Sequence, residues 1–224
     1  MKHSLLLALL CSSLTLTACQ KKAAEVAAES PAPARETAAA AQPAAEQEPT
    51  EEQRERAKKQ AQMDYAVMED TYINDTKAQW AIEAKASSTF GEEDGKAPAD
   101  SRSVKNVSGK VDGNTWTNNS QDIGFDWVEL SYEKPVFATE VRLVTPYGNA
   151  VEAINKIELQ DTDGKWNTVW SGISEQKLDE RGPRTWFVQK FEKTTYQVKA
   201  VKFTIANNLY KNYKEFDAAQ LVGE

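Results

Sequence analysis

Histidine and cysteine are nearly missing from this 224-residue chain: one His and two Cys, placed as His3, Cys11 and Cys19. Beyond Cys19 the sequence holds neither. That excludes Ser-His-Asp and Cys-His nucleophilic catalysis there, and zinc sites built from those ligands. It also excludes an internal disulfide, so the fold must be stable on its core alone. Membrane-length apolar runs are missing too. Residues 5–16 form an apolar stretch of about a dozen residues, against roughly 20 needed to cross ~30 Å of hydrocarbon. Basic side chains are outnumbered, 27 Lys and Arg against 34 Asp and Glu for a net charge of −7. Nucleic-acid backbones, which are bound by Lys and Arg neutralising phosphates, are therefore not expected as partners. Carboxylate pairs such as those of glycosidases are not excluded. Nearly all the acids, however, fall on alternating solvent faces or in turns, and a non-catalytic protein is expected.

What is present divides the chain into four segments. Residues 1–18 carry Lys2 and His3, then the apolar stretch, then small residues, which is the layout of a cleaved signal peptide. Leu16-Thr17-Ala18-Cys19 resembles the lipobox of bacterial lipoproteins, whose cysteine is acylated and becomes the mature N-terminus. Each buried CH₂ of an acyl chain contributes about 0.8 kcal/mol, so two or three chains hold a protein stably on a membrane. Gln20, where Asp would signal retention, resembles lipoproteins sorted to the outer membrane. A membrane partner through a lipid on Cys19 is expected. Residues 19–49 are rich in Ala, Glu, Gln and Pro and read as a disordered tether.

Residues 50–74 read as one amphipathic helix. Thr50 and Gln53 form a capping box, and Glu52/Arg56 and Glu55/Lys59 are i,i+4 pairs in the favourable order. Ala57, Ala61, Tyr65, Met68 and Tyr72 fall on one stripe, which either packs on the following domain or forms a short coiled coil.

After Asp75 the period becomes two. Val128, Leu130 and Tyr132 alternate with polar residues, as do Val141 and Leu143, Ile157 and Leu159, and Val201, Phe203 and Ile205. With 80–86, 166–170, 185–191 and 216–222 there are eight or more strands and no intervening helix-length pattern. Residues 75–224 are expected to form one all-β domain, an antiparallel jelly-roll β-sandwich.

Several stretches carry a further resemblance: Gln79-Trp80-Ala81, Ala86-Ser87-Ser88-Thr89-Phe90-Gly91, Val107-Ser108-Gly109-Lys110-Val111-Asp112, and Asp126-Trp127-Val128-Glu129-Leu130-Ser131-Tyr132. The hairpin 157–166, Trp170-Ser171-Gly172 and the closing Phe216-Asp217-Ala218-Ala219-Gln220-Leu221-Val222-Gly223 complete it. Their order resembles the discoidin, or galactose-binding-like, jelly rolls, and most of all the scarf-type module of pappalysin metalloproteases. Val111 departs from that group, which has proline there, and the group's disulfides have no counterpart. The resemblance implies a non-catalytic module that binds a carbohydrate or another extracellular ligand through loops at one end of the sandwich. The alternative is an adaptor lipoprotein docking a protein partner in the cell envelope.

The loop candidates for a ligand site are Trp116, Asn118, Asn119, Asp122, Tyr147, Asn149, Tyr210 and Tyr213. They combine aromatic faces with amides and a carboxylate, the groups a sugar ring requires. Trp116 reads equally as a core residue at a strand start. Asp161-Thr162-Asp163-Gly164 reads as a β-turn and not a calcium loop. Asp112 and Asn114 are the weak candidates for calcium, the one cofactor in view; otherwise none is expected. For the anchor, mass spectrometry of the mature N-terminal peptide is expected to show an acylated Cys19; an unmodified N-terminus there would contradict it.

Overall fold

The computed structural model describes residues 48–92 and 100–224. The expected signal peptide, Cys19 and the tether as far as residue 47 lie outside the described residues. Among the described residues no helix is long and apolar enough to cross a membrane.

Helix α1 spans Glu51–Ile73 and starts where its capping box places it. Thr50 Oγ1 accepts from the Gln53 amide at 3.3 Å, and Gln53 Oε1 accepts from the Thr50 amide at 2.8 Å. Only the C-terminal part of the stripe is covered. Tyr65 is buried, Met68 and Tyr72 are half-buried, and Ala57 is exposed, as is every residue from 51 to 60.

Among the described residues ten strands follow, all paired antiparallel: β1 (Ala78–Trp80), β2 (Glu83–Ala86), β3 (Trp116–Thr117), β4 (Phe125–Pro146), β5 (Ile154–Asp161), β6 (Trp166–Ser171), β7 (Arg184–Lys190), β8 (Gln197–Ala206), β9 (Glu215–Phe216) and β10 (Ala218–Gly223). The two patterns expected as separate strands, around Val128 and around Val141, are halves of the single 22-residue β4. Its first half pairs with β2 and β8; its second pairs with β10 and β7. Between Ser131 and Val136 the register slips. Pro135 in that bulge donates no ladder hydrogen bond, and the strand crosses there from one layer to the other. The result is a jelly-roll sandwich, with layers β2-β4-β8-β5-β6 and β1-β10-β4-β7 and a small β3–β9 pair.

Alternation fills the space between the layers. Val128, Leu130, Ile157, Leu159, Val201, Phe203 and Ile205 meet Val141, Leu143, Phe187 and Leu221, all fully buried. Phe187 and Phe203 meet edge to face across the layers at 6.3 Å. Each such side chain contributes about 1.5–3 kcal/mol of burial.

The outer face of β1-β10-β4-β7 is covered by α1. Val144, Trp186 and Ala218 are buried beneath Met68, Tyr72 and Ile73. Tyr72 lies 5.2 Å from Trp186, and the Arg142 guanidinium stacks 4.3 Å from the Tyr72 ring. Arg142 also pairs with Glu140 and, at 2.8 Å, with Asp75 just beyond the helix. The C-terminal part of the stripe is thus taken up by the domain itself. The opposite outer face shows half-buried Trp127 and Trp166, with Lys202 Nζ 5.3 and 4.0 Å from their rings.

Both ends of β4 lie at one end of the sandwich. Asp126 and Ile154 flank Ile205, while the chain between Pro146 and Ile154 reaches Tyr210 through Asn149. The segments 87–92, 112–124, 146–153 and 207–215 gather there, and this is the loop end.

Candidate functional site

The loop end is built on a buried carboxylate. Asp126 sits one residue into β4 and points inward. Its Oδ1 accepts from Ser87 and Ser88 hydroxyls at 2.7 and 2.8 Å, and its Oδ2 from the Asn118 and Asn207 amides, both at 2.9 Å. Burial disfavours its charge, but the four donors outweigh that and hold its pKa below the ordinary value. Asn118 Oδ1 in turn accepts from the Lys214 amide at 2.8 Å. Lys214, fully buried, donates from Nζ to the carbonyls of Gln121 and Asn207. Burial pushes its pKa down to about 8, with Asp126 and Asp122 partly offsetting the effect.

This network corrects two of the expected ligand residues. Trp116 is 0% exposed: its ring packs 5.3 Å from Phe216 and its Nε1 donates to the Ser88 carbonyl at 3.0 Å. Asn118 is also 0% exposed, and both ends of its amide are spent inside the network. The Trp116-Thr117-Asn118 run looked like a binding loop because amides flank a tryptophan. Pairing of β3 with β9 instead turns it into the core. Tyr213 is half-buried edge-on against Phe90 at 4.9 Å, with Arg102 over the Phe90 ring at 4.4 Å. Asn119 and Asp122 are exposed on the neighbouring loop, with Ile123 and Phe125.

The remaining three candidates come together. Tyr210 Oη donates to Asn149 Oδ1 at 2.9 Å, and Asn149 Nδ2 donates to Glu215 at 3.0 Å. Two residues before Asn149, Tyr147 is 74% exposed. Tyr147 and Gly148 have φ of 50° and 72°, and the Asn149 amide reaches the Pro146 carbonyl at 3.1 Å. These are the features of a type I′ turn, whose first central position favours Asn, Asp or Gly. A tyrosine held there costs about 1–2 kcal/mol relative to a relaxed backbone.

Beside Tyr147 opens a cleft of about 190 Å³ lined by Gly113, Pro146, Tyr147, Pro183, Arg184 and Asp217. Asp217 accepts from the Asp112 and Gly113 amides at 3.2 and 3.1 Å. Burial, helped by neighbouring Asp112, raises its pKa against these two donors. Arg184 is half-buried and pairs with Glu69 at 3.4 Å. Neither Arg184 nor Asp217 stood out in the sequence. An acid between Phe216 and Ala218, in the mostly apolar closing run 216–222, is the one available signal for Asp217. Two other clefts lack this combination. The one at the far end, beside Glu224, has no aromatic wall; in the one at the sheet edges, Gln176 spends both amide atoms on the Val188 backbone.

The calcium expectation finds no support in geometry. Asp112 turns both carboxylate oxygens onto Asn114, at 2.8 and 3.0 Å. Among the described residues no three acidic, His or Cys side chains gather as a metal site. Asp161–Gly164 is the turn expected: Gly164 has φ 89°, and Asp161 Oδ1 accepts from the amides of residues 163 and 165.

No family model and no curated protein matches the chain. Solved structures do. One is chitosan-binding module 1 from a chitosanase/glucanase of Paenibacillus sp. IK-5, with 14% identity, 64% of this chain, 96% of that chain and TM-score 0.45. A second is a Clostridium perfringens CBM32 domain in complex with GalNAc-β-1,3-galactose, with 10% identity, 63% of this chain, 94% of that chain and TM-score 0.48. A third, the CBM32-1 and CBM32-2 domains of Clostridium perfringens ZmpB, has 14% identity over 70% of this chain and 38% of that one, with TM-score 0.49. Likenesses this distant say nothing about this chain's own ligand.

Two outcomes follow from the network. Trp116→Ala is expected to cost about 3–5 kcal/mol in denaturant unfolding, as for other buried aromatics. Lys214 keeps its proton to about 8 when folded and to the ordinary 10.5 when unfolded. The unfolded chain therefore binds more protons between those values, and the Lys214 contribution to stability rises with pH across that window. Wild type should gain on a Lys214→Met variant between pH 7 and 10; a difference independent of pH would contradict the assignment.

Proposed function

We propose that this chain is a non-catalytic carbohydrate-binding module that takes its ligand at the loop end, on Tyr147 and the cleft beside it. One observation carries the reading. A tyrosine occupies a turn position that costs stability, and its ring stands free in solvent. Strain kept at an exposed aromatic points to a use for that aromatic. An aromatic face covers the C–H side of a sugar ring, while neighbouring planar polar groups meet its hydroxyls. The half-buried Asn149, Glu215 and Arg184 supply those groups within the same loop cluster.

The adaptor alternative rests on the helix stripe as a docking face and on the long tether; of these, the stripe residues Tyr65, Met68 and Tyr72 are covered by this domain. A lipid on Cys19 and a tether over 19–49 would hold the module on an outer-membrane surface while leaving it reach; this part of the proposal rests on sequence alone.

The test is a glycan and polysaccharide array with wild type and Tyr147→Asn. Asn adopts the left-handed turn conformation more readily, so the variant should melt higher, by roughly 2–4 °C for a gain near 1 kcal/mol. Its binding should fall by about tenfold or more, equivalent to 1.4 kcal/mol. Undiminished binding in the variant, or a blank array with folded wild type, would overturn the reading.

A further inference from the structure

Helix α1 packs beside the loop end as well as along the sheet, and its contacts there run in one chain to Tyr147. Tyr65 is the helix's one fully covered residue. Its hydroxyl donates to the Arg184 carbonyl at 2.9 Å and lies 3.1 Å from Glu69 Oε1. Glu69 also accepts from Trp186 Nε1 at 3.1 Å and pairs with Arg184. The Tyr65 ring lies flat on Gly182, where an added Cβ would stand 2.2 Å from Cζ. Gly182 is bare because the ring needs the space, since its backbone is not in the left-handed region. The next residue, Pro183, offers its carbonyl to the Tyr147 amide at 3.2 Å. From the same segment, Leu178 closes over Gly148, where a Cβ would meet it at 2.6 Å.

We propose that α1 is a working part of the binding end: Tyr65, through Gly182 and Pro183, is a positioning residue that holds Tyr147 in its left-handed turn. The turn is intrinsically unfavourable for tyrosine, so something outside it must hold it, and the 178–184 segment is what touches it. That segment lies between two strands and is itself fixed by the helix. The β-sandwich without α1 would then keep its core and lose the shape of its ligand end. The ligand half of this inference rests on the proposed function; the mechanical half does not.

The experiment measures amide hydrogen exchange by NMR on the full chain, for wild type, Tyr65→Phe and Gly182→Ala. Tyr65→Phe keeps the ring over Gly182 and removes the bond to Arg184; Gly182→Ala forces the ring away. Exchange at the Tyr147 amide should quicken by roughly fivefold or more in both, with Leu130 and Phe203 in the core unchanged. Affinity for any array-identified glycan should fall in parallel. An unchanged Tyr147 rate, or a rise shared equally by the core amides, would overturn the proposal. A Tyr147 amide that responds in a protein binding no glycan would leave the coupling standing and remove the carbohydrate reading alone.

Discussion

The Asp126 carboxylate is the point on which the loop end depends. An unpaired charge at that depth would cost several kcal/mol, so it can be ionised only if donors surround it. Those donors come from three separate segments, at Ser87 and Ser88, Asn118 and Asn207. Satisfying one group thus fixes three loops relative to β4. The same arrangement draws in Lys214, whose amide reaches Asn118 and whose ammonium closes the carbonyls of Gln121 and Asn207. A polar network of this kind is high-stakes: complete, it specifies a single loop arrangement, and it leaves those amides nothing for a ligand.

That division explains the shape of the site. The loops nearest Asp126 are framework. The 146–149 turn and the cleft over Asp217 stand outside the network; there the Tyr147 ring is exposed and Asn149 and Arg184 are half-buried, each already holding a partner within the protein. Tyr147 differs from Trp116 in this respect: one is a strained, exposed ring, the other an unstrained ring at the centre of the β3–β9 contact.

Much of the fold was legible because its signals are local. The period-two runs mark the strands, Thr50 and Gln53 mark the start of α1, and Asp161–Gly164 marks the hairpin. The stripe through Tyr65, Met68 and Tyr72 is a real face, while its first member, Ala57, lies in the exposed N-terminal part of the helix. The continuity of β4 was not legible, since Glu133, Lys134 and Pro135 look like a break and serve as a bulge. Nor was the split among the candidates. Asn118 and Asn149 are both amides beside aromatics and both are hydrogen-bonded at each end; the network around Asp126 buries Asn118 and leaves Asn149 half-buried. Arg184 and Asp217 meet Tyr147 from distant parts of the chain, so no spacing announces them.

The central proposal is that ligand contact occurs at the Tyr147 cleft. Amide chemical-shift mapping during titration with an array-selected oligosaccharide tests it most directly. The account predicts perturbations confined to Tyr147, Gly148, Asn149, Arg184, Tyr210 and Asp217 and their neighbours. Perturbations centred instead on Trp127, Lys202 and Trp166 on the opposite sheet face would contradict it.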